Sequence, residues 1–549
     1  MTLLRCYSTQ LIVNRVSFRP ASNTYLRSRA FADSPRTSPT RYEPDPESEG
    51  SAQNVQNDFI GHALFAFRNV GKILAFVGYG TLIIGCVTAV AFEGGHFWIE
   101  RQMRLDADED AERWGWEAES WTGGPAGGTS PALGVYGRHV LRAAWYTLQN
   151  SSRLGITTTI SQDKGGRGAG SLNVAGSYLD LARMYLEAAM DRVRDHDGRL
   201  PSDKVGLDLL ERHGAILERI GTRAALSRAR ADYLQILDGR GGERLAQARF
   251  AVKLGDVSER LGENEAALTW WATGSSHREN GPSAAPPDKE LPTFLSIDLP
   301  TQPPASPAAQ RTLVAALVSL SAYYSKRKLL VEAKHVQESA MSLIDDMVPT
   351  HEVSASSLAS RKPRSPGQTL HYMHLMQRKS VLAVHHAEVS YSMATPSVLA
   401  DPSPLLGPLT DLLTAASSSE LVAQQLTGMS LSRGDVTSEL SPKTATASPR
   451  KVTQSPASSA GLASAYRESR WLRTLAGGIL RDARTTAAEA WDLSGVLYGE
   501  IKGEDAKALE CYERALGWAG GPTESVGAGS AWHSLWERYV EAREKIMKK

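Results

Sequence analysis

The chain has 549 residues, a formal net charge of +1, 42% hydrophobic residues and 22% charged residues. That balance is ordinary globular chemistry and supplies no basic footprint for nucleic acid. Its three cysteines, Cys6, Cys86 and Cys511, are too few and too scattered for a disulfide framework or a cysteine zinc site.

Residues 1–32 hold five arginines (Arg5, Arg15, Arg19, Arg27, Arg29), no lysine and no acid, the first carboxylate being Asp33. Arg-rich, hydroxyl-rich and acid-free composition predicts a mitochondrial transit peptide. Residues 33–70, opening on a Pro-rich acidic stretch, read as a disordered linker. Residues 73–92 (ILAFVGYGTLIIGCVTAVAF) carry no charge. About 20 residues rising about 1.5 Å each match the hydrocarbon core of a bilayer, so a single transmembrane helix is expected here. Arg68 and Lys72 precede it. Nine acids and three arginines lie between Glu93 and Glu119, a net of −6. The positive-inside rule then favours an N-terminus in the matrix and the body in the intermembrane space. Within the span Thr81, Gly85 and Ala89 form a small-residue stripe that would let another helix approach.

Residues 93–135 form an acidic, Trp-rich junction with Trp114, Trp116 and Trp121. Two readings apply: the tryptophans pack as a cap on the body, or they stand exposed as anchors for a partner. Glycine runs at Gly123–Gly128 and Gly165–Gly170 lack a preceding strand and a phosphate-loop ending, so both read as flexible loops.

The body beyond is all-α by pattern, with almost no period-2 signal. Its helices show the self-similarity of degenerate tetratricopeptide repeats, a stack of helical hairpins in which small residues sit where two helices touch. The first block spans 136–274, where Arg138–Leu148 pairs with Tyr178–Ala189, and Ala229 and Tyr233 mark a second helix. Its best match is Leu254, Gly255, Gly262, Ala267 and Trp271. A Pro/Ser-rich insert covers 275–310. A repeat follows over 311–345 (Leu320, Tyr324, Ala333, Ala340), with Gln337 where an aromatic is expected. After a loop at 346–370 come a helix over 371–393, a low-complexity insert over 394–460 with some helix potential at 401–431, and a C-terminal repeat block over 461–549. That block holds the strongest match: Trp491, Gly495, Tyr498, Ala508, Tyr512 and Ala515. About five hairpins are expected, with disordered inserts between them.

Repeat arrays of this kind hold peptides in a groove. The inward positions here are Val252, Asp256, Asp492 and Val496. Acids at two of them would repel a carboxylate tail, so a basic or hydrophobic client segment is expected. His371, His374, His385 and His386 lack metal-ligand partners at defined spacing, and no nucleophile motif occurs. The expectation is a binding protein: no enzyme activity, no cofactor, no small-molecule substrate.

Presequence, single span, Trp-rich junction and degenerate repeats together resemble the fungal adaptor subunit of the mitochondrial i-AAA protease. The segments ERWGWEAESWTGG (Glu112–Gly124) and GRHVLRAAW (Gly137–Trp145) carry most of the resemblance, which covers Ile73–Leu237 and the terminal repeat. It implies an inner-membrane protein that binds the protease and presents unfolded clients. A respiratory-complex assembly factor of the complex III type, with the same anchor and repeats, is the alternative. A hydrolase or transferase on a helical scaffold stands as a third, and an outer-membrane import receptor, which would lack the Arg-rich presequence, as a fourth.

Overall fold

The computed structural model describes residues 49–104, 108–116, 121–153, 174–194, 203–240, 242–275, 299–348, 364–394, 405–429, 461–501, 504–519 and 529–548. The transit-peptide segment 1–32 and the glycine run 165–170 lie outside them. The chain divides into two units, 1–87 and 88–549. Among the described residues every regular element is helical and no β-strand occurs.

Helix α1, Glu49–Met103, runs through the unit boundary. It holds one stretch apolar and long enough to cross a membrane. The apolar side chains of that stretch face outward; Phe76 is 80% exposed and Ile84 69%. The Thr81 hydroxyl of the small-residue stripe donates to the Val77 carbonyl at 2.8 Å, so it brings no unsatisfied polar group to the apolar surface. The helix begins well before residue 70, which corrects the linker expected over 33–70. Beyond Pro46 the sequence contains no proline until Pro125, and nothing interrupts the backbone ladder.

The second unit begins with the last turns of α1, followed by α2 (Glu109–Arg113) and two 3-10 turns, and then by paired helices. The pairs are α3 (Gly134–Arg153) with α4 (Val174–Met190), α5 (Lys204–Ile220) with α6 (Arg223–Gly239), and α7 (Arg244–Leu261) with α8 (Asn264–Ser275). Next come α9 (Pro307–Lys326) with α10 (Leu330–Met347), and α11 (Pro366–Ala394) with α12 (Leu406–Thr427). After the short α13 (Ser464–Glu468), α14 (Arg470–Glu500) pairs with α15 (Asp505–Ala519), and α16 (Gly529–Lys548) packs on α15. Two expected inserts are therefore shorter than their composition implies. Pro307 and Pro366 occupy the first helical positions of α9 and α11, where a missing N–H costs nothing. Helix α12 lies wholly inside the segment read as low-complexity.

The turns are locally specified. Asp203 caps α5 by accepting from the Gly206 amide at 2.8 Å. Gly221 ends that helix in the left-handed region (φ 71°), and Thr222 caps α6 at once. Gly262 does the same between α7 and α8, with φ 87°.

One crossing recurs in four hairpins. A Cβ on Gly214 would lie 2.6 Å from the ring of Tyr233, and a Cβ on Gly495 2.7 Å from the ring of Tyr512; Gly255 meets the Trp271 indole more closely still. In the α9–α10 pair Ser321 replaces glycine and Gln337 replaces the aromatic, and their side chains bond at 2.9 Å. The residue four before each partner is alanine (Ala229, Ala267, Ala333, Ala508), and each is buried. A large side chain facing a residue with none allows the two helices to interdigitate. Gly495→Leu is therefore expected to destabilise the C-terminal hairpin by about 1–3 kcal/mol through overpacking. Chemical denaturation of the full chain in detergent checks this, with an unchanged midpoint counting against the register.

Three apolar clusters run along the unit. The first joins the end of α1 to α3–α7, the second spans α7–α11, and the third spans α11–α16. Leu254, Leu320, Tyr324, Ala340 and Ala515 are buried within them.

Candidate functional site: the tryptophan junction

Asp108 opens the junction as the N-cap of α2, its carboxylate accepting from the Ala111 amide at 3.1 Å. After Arg113 the chain turns at Gly115, whose φ of 59° favours a residue without a side chain. A Cβ there would also sit 3.1 Å from that of Ala308. The turn sets Trp114 and Trp116 against residues far away in sequence.

Trp116 is 5% exposed. Its indole N–H donates to the Gly367 carbonyl at 2.9 Å, and the Gly367 amide donates to Asp110 Oδ2 at 2.6 Å. The guanidinium of Arg311 lies over the Trp116 ring, 3.9 Å from its centroid. That same guanidinium donates to the Trp114 carbonyl at 3.1 Å and to the Gly115 carbonyl. Ser469, the N-cap of α14, donates its hydroxyl to Asp108 Oδ2 at 3.1 Å. The segment Asp108–Trp116 thus lies across the N-terminal ends of α9, α11 and α14, the first helices of three successive hairpins. Arg311 holds it by two main-chain carbonyls, which any residue would supply, and by the face of the Trp116 ring, which only an aromatic would.

His371 completes this network. Its Nδ1 accepts from Arg311 at 3.1 Å and its Nε2 faces Gln310 Oε1 at 2.9 Å, the pattern of a neutral imidazole protonated at Nε2. Burial first, and the Arg311 charge second, bring its pKa from 6.5 to about 3. His374, edge-on to Trp116, is likewise held well below its ordinary value, mainly by burial. A base whose folded pKa is depressed stays neutral while the unfolded chain takes up a proton. Stability is therefore complete above about pH 6.5 and falls as pH drops toward 3. The melting temperature of the full chain is expected to decline across that window, and His371→Gln is expected to flatten the decline. An equal slope in the variant would sever the link.

The structure places the sequence-predicted partner residues differently from the anchor reading. Trp116 and Trp121 are buried, 5% and 4% exposed, and Trp114 is half-buried. They pack in two different clusters: Trp121 with α3–α7 beneath Arg212, Trp116 with the C-terminal hairpins. Aromatic area of that size is stabilised more by internal packing than by standing in water. Val252 is also buried, against Gly274. Asp256 accepts from the Trp271 indole at 3.0 Å, and Asp492 pairs with Arg538. Val496 is partly buried against the C-terminal core. Sequence reasoning missed Arg311, Gly367 and His371 as partners of the junction.

The first glycine run is not a loose loop either. A Cβ on Gly123 would collide with the Gly127 carbonyl, the Gly128 amide donates to the Met103 carbonyl at 3.2 Å, and Arg104 bridges to Gly127. Glycine there permits close main-chain approach to the end of α1. No protein-family model, curated protein or solved structure matches this chain.

Proposed function

We propose that the protein is a single-span membrane adaptor built on tetratricopeptide-type hairpins. It sits in the mitochondrial inner membrane with its body in the intermembrane space, binds the i-AAA protease and presents unfolded polypeptides to it. Support for the repeat architecture comes from the recurrent crossing at Gly214/Tyr233, Gly255/Trp271, Ser321/Gln337 and Gly495/Tyr512. The observation that carries the binding role is the hold on Asp108–Trp116: the first helices of three hairpins grip one peptide segment, α9 through its main-chain carbonyls and α11 and α14 through its side chains. The Arg311 part of that grip, made to main-chain carbonyls, is the sequence-tolerant kind of contact that a protein handling unfolded chains needs. The apolar stretch of α1 supplies the anchor.

Crosslinking in isolated mitochondria, with mass spectrometry of captured proteins, tests the reading. Protease subunits and their clients are the expected catch. Intermediates of a respiratory complex would instead assign the chain to assembly, and recovery in the soluble fraction after carbonate treatment would remove the anchor.

A further inference from the structure

At the end of α1 a cleft of about 350 Å³ is lined by Glu93, Phe97, Glu100, Arg104, Arg138 and Arg142, together with the first turn of α3. Glu93, Phe97 and Glu100 recur at helical spacing on one face of α1, and Arg104, just past its end, continues that spacing. Glu100 is 5% exposed and already satisfied. It accepts from the Thr129 amide at 3.0 Å, the Thr129 hydroxyl at 2.6 Å and Arg142 Nε at 2.7 Å. Arg138 is fixed through its Nε, which donates to Thr129 Oγ1 at 3.0 Å. Its Nη2 lies 3.7 Å from Glu100, and Arg104 Nε lies 3.9 Å away, both too long for hydrogen bonds. Glu93, the second acid, is engaged by His139 at 2.9 Å. Three guanidinium groups therefore converge on one saturated carboxylate. The Arg104 side chain is 64% exposed and that of Arg138 30%.

The apolar residues lining this cleft are exposed, Phe97 by 70% and Val135 by 72%. Beside them Trp98 is 50% exposed, and Tyr136 carries the Arg192 guanidinium 4.6 Å from its ring centroid. Phe97 follows Phe92, the last residue of the uncharged stretch, by five positions, or roughly 8 Å of helix rise. That is the thickness of one headgroup layer beyond the hydrocarbon core. Tryptophan and tyrosine prefer this depth, where one end of the ring is wet and the other apolar. Arginines just behind such exposed apolar residues can extend toward phosphate while their stems lie on apolar surface.

We infer that the cleft binds the phosphate of an anionic phospholipid headgroup, with Arg104 and Arg138 as its ligands, Arg142 balancing the charge of the Glu100 carboxylate beside them, and the exposed Phe97, Trp98 and Val135 set at the bilayer surface. The inference rests on the reading of α1 as a membrane span. The guanidinium fork suits phosphate oxygens in a way a lysine would not, and the N-terminal end of α3 adds a favourable dipole.

The test uses the full chain in nanodiscs of phosphatidylcholine alone or mixed with phosphatidylglycerol, read by native mass spectrometry of lipid retained after detergent transfer. Selective retention of phosphatidylglycerol is expected. Arg104→Gln and Arg138→Gln are each expected to lower it about five-fold. Both side chains are partly solvent-exposed, and the wild-type selectivity stands as evidence without either variant. Equal retention of the two lipids, or retention unchanged in the double variant, overturns the proposal. Protection by inorganic phosphate in the absence of lipid selectivity would also overturn it, reassigning the cleft to a soluble anion. Carbonate extraction separates the two readings: a protein that stays in the membrane without lipid selectivity defeats only the headgroup site, whereas a soluble one defeats the span.

Discussion

Glu420→Ala is expected to destabilise the body by about 3–5 kcal/mol, the cost of leaving buried partners of a charge without their counterpart. Glu420 lies on α12 and is 6% exposed. Its Oε1 accepts from two indoles, Trp491 Nε1 and Trp518 Nε1, each at 2.7 Å. Its Oε2 accepts from Arg514 at 3.0 Å, and that guanidinium also stacks over Trp491, 4.0 Å from the ring centroid. One carboxylate therefore ties α12 to α14 and α15. Alanine would strand two indole N–H donors inside the third cluster; Arg514, 29% exposed, could turn toward water. Glu420→Gln keeps an oxygen for the indoles but turns an NH2 donor toward the Arg514 guanidinium, losing that hydrogen bond and the charge; because Arg514 can swing to water, a smaller loss of about 1–2 kcal/mol is expected. Denaturant titration of the full chain in detergent, with tryptophan fluorescence as one probe, measures both. A loss under about 1 kcal/mol for the alanine variant would show that water replaces the carboxylate and that the clamp contributes little.

This clamp is also where composition misleads. Residues 394–460 are rich in Ser, Thr, Pro and Ala, and averaged over that window they read as an insert. The helix inside is written at finer grain: Leu409, Leu412, Ala416, Ser419, Ala423 and Leu426 recur at alternating three and four residues, and all are buried. A shorter window exposes that heptad-like period, the helix potential read at 401–431, within which the helix Leu406–Thr427 lies. Elsewhere the local pattern sufficed. Gly255 with Trp271 and Gly495 with Tyr512 are separated by nearly the same number of residues, so the hairpins could be read directly. Gly214 escaped because it precedes Tyr233 by nineteen residues rather than sixteen. Gln337 looked like a defect in the repeat, yet Ser321 had changed with it. The two form a polar pair at the crossing where other hairpins place glycine and a ring. The junction contacts were not readable at all. Arg311 and Gly367 stand roughly two hundred residues or more from Trp116, and no periodicity encodes a meeting at that separation.

Trp116→Ala is the second large effect, expected to cost about 3–5 kcal/mol, since truncating a buried aromatic removes its transfer energy and leaves a cavity. Stability alone would not distinguish a core residue from one that fastens a segment, so the informative readout is local. Trp116 touches α9 through Arg311 and α11 through Gly367, and its loss removes the ring on which that guanidinium lies. Amide exchange along 108–116 is expected to accelerate, together with cleavage after Arg113 by trypsin, while α5–α7 keep their protection in a separate cluster. Trp116→Phe keeps most of the apolar area and loses the N–H donor, so it should cost about 1 kcal/mol and leave the segment seated. If the alanine variant exchanged uniformly faster across every helix, Trp116 would be one more core residue. If only 108–116 opened, the N-terminal ends of α9, α11 and α14 would be freed together. Arg311 would then present its donors to any other peptide carbonyl that came within reach.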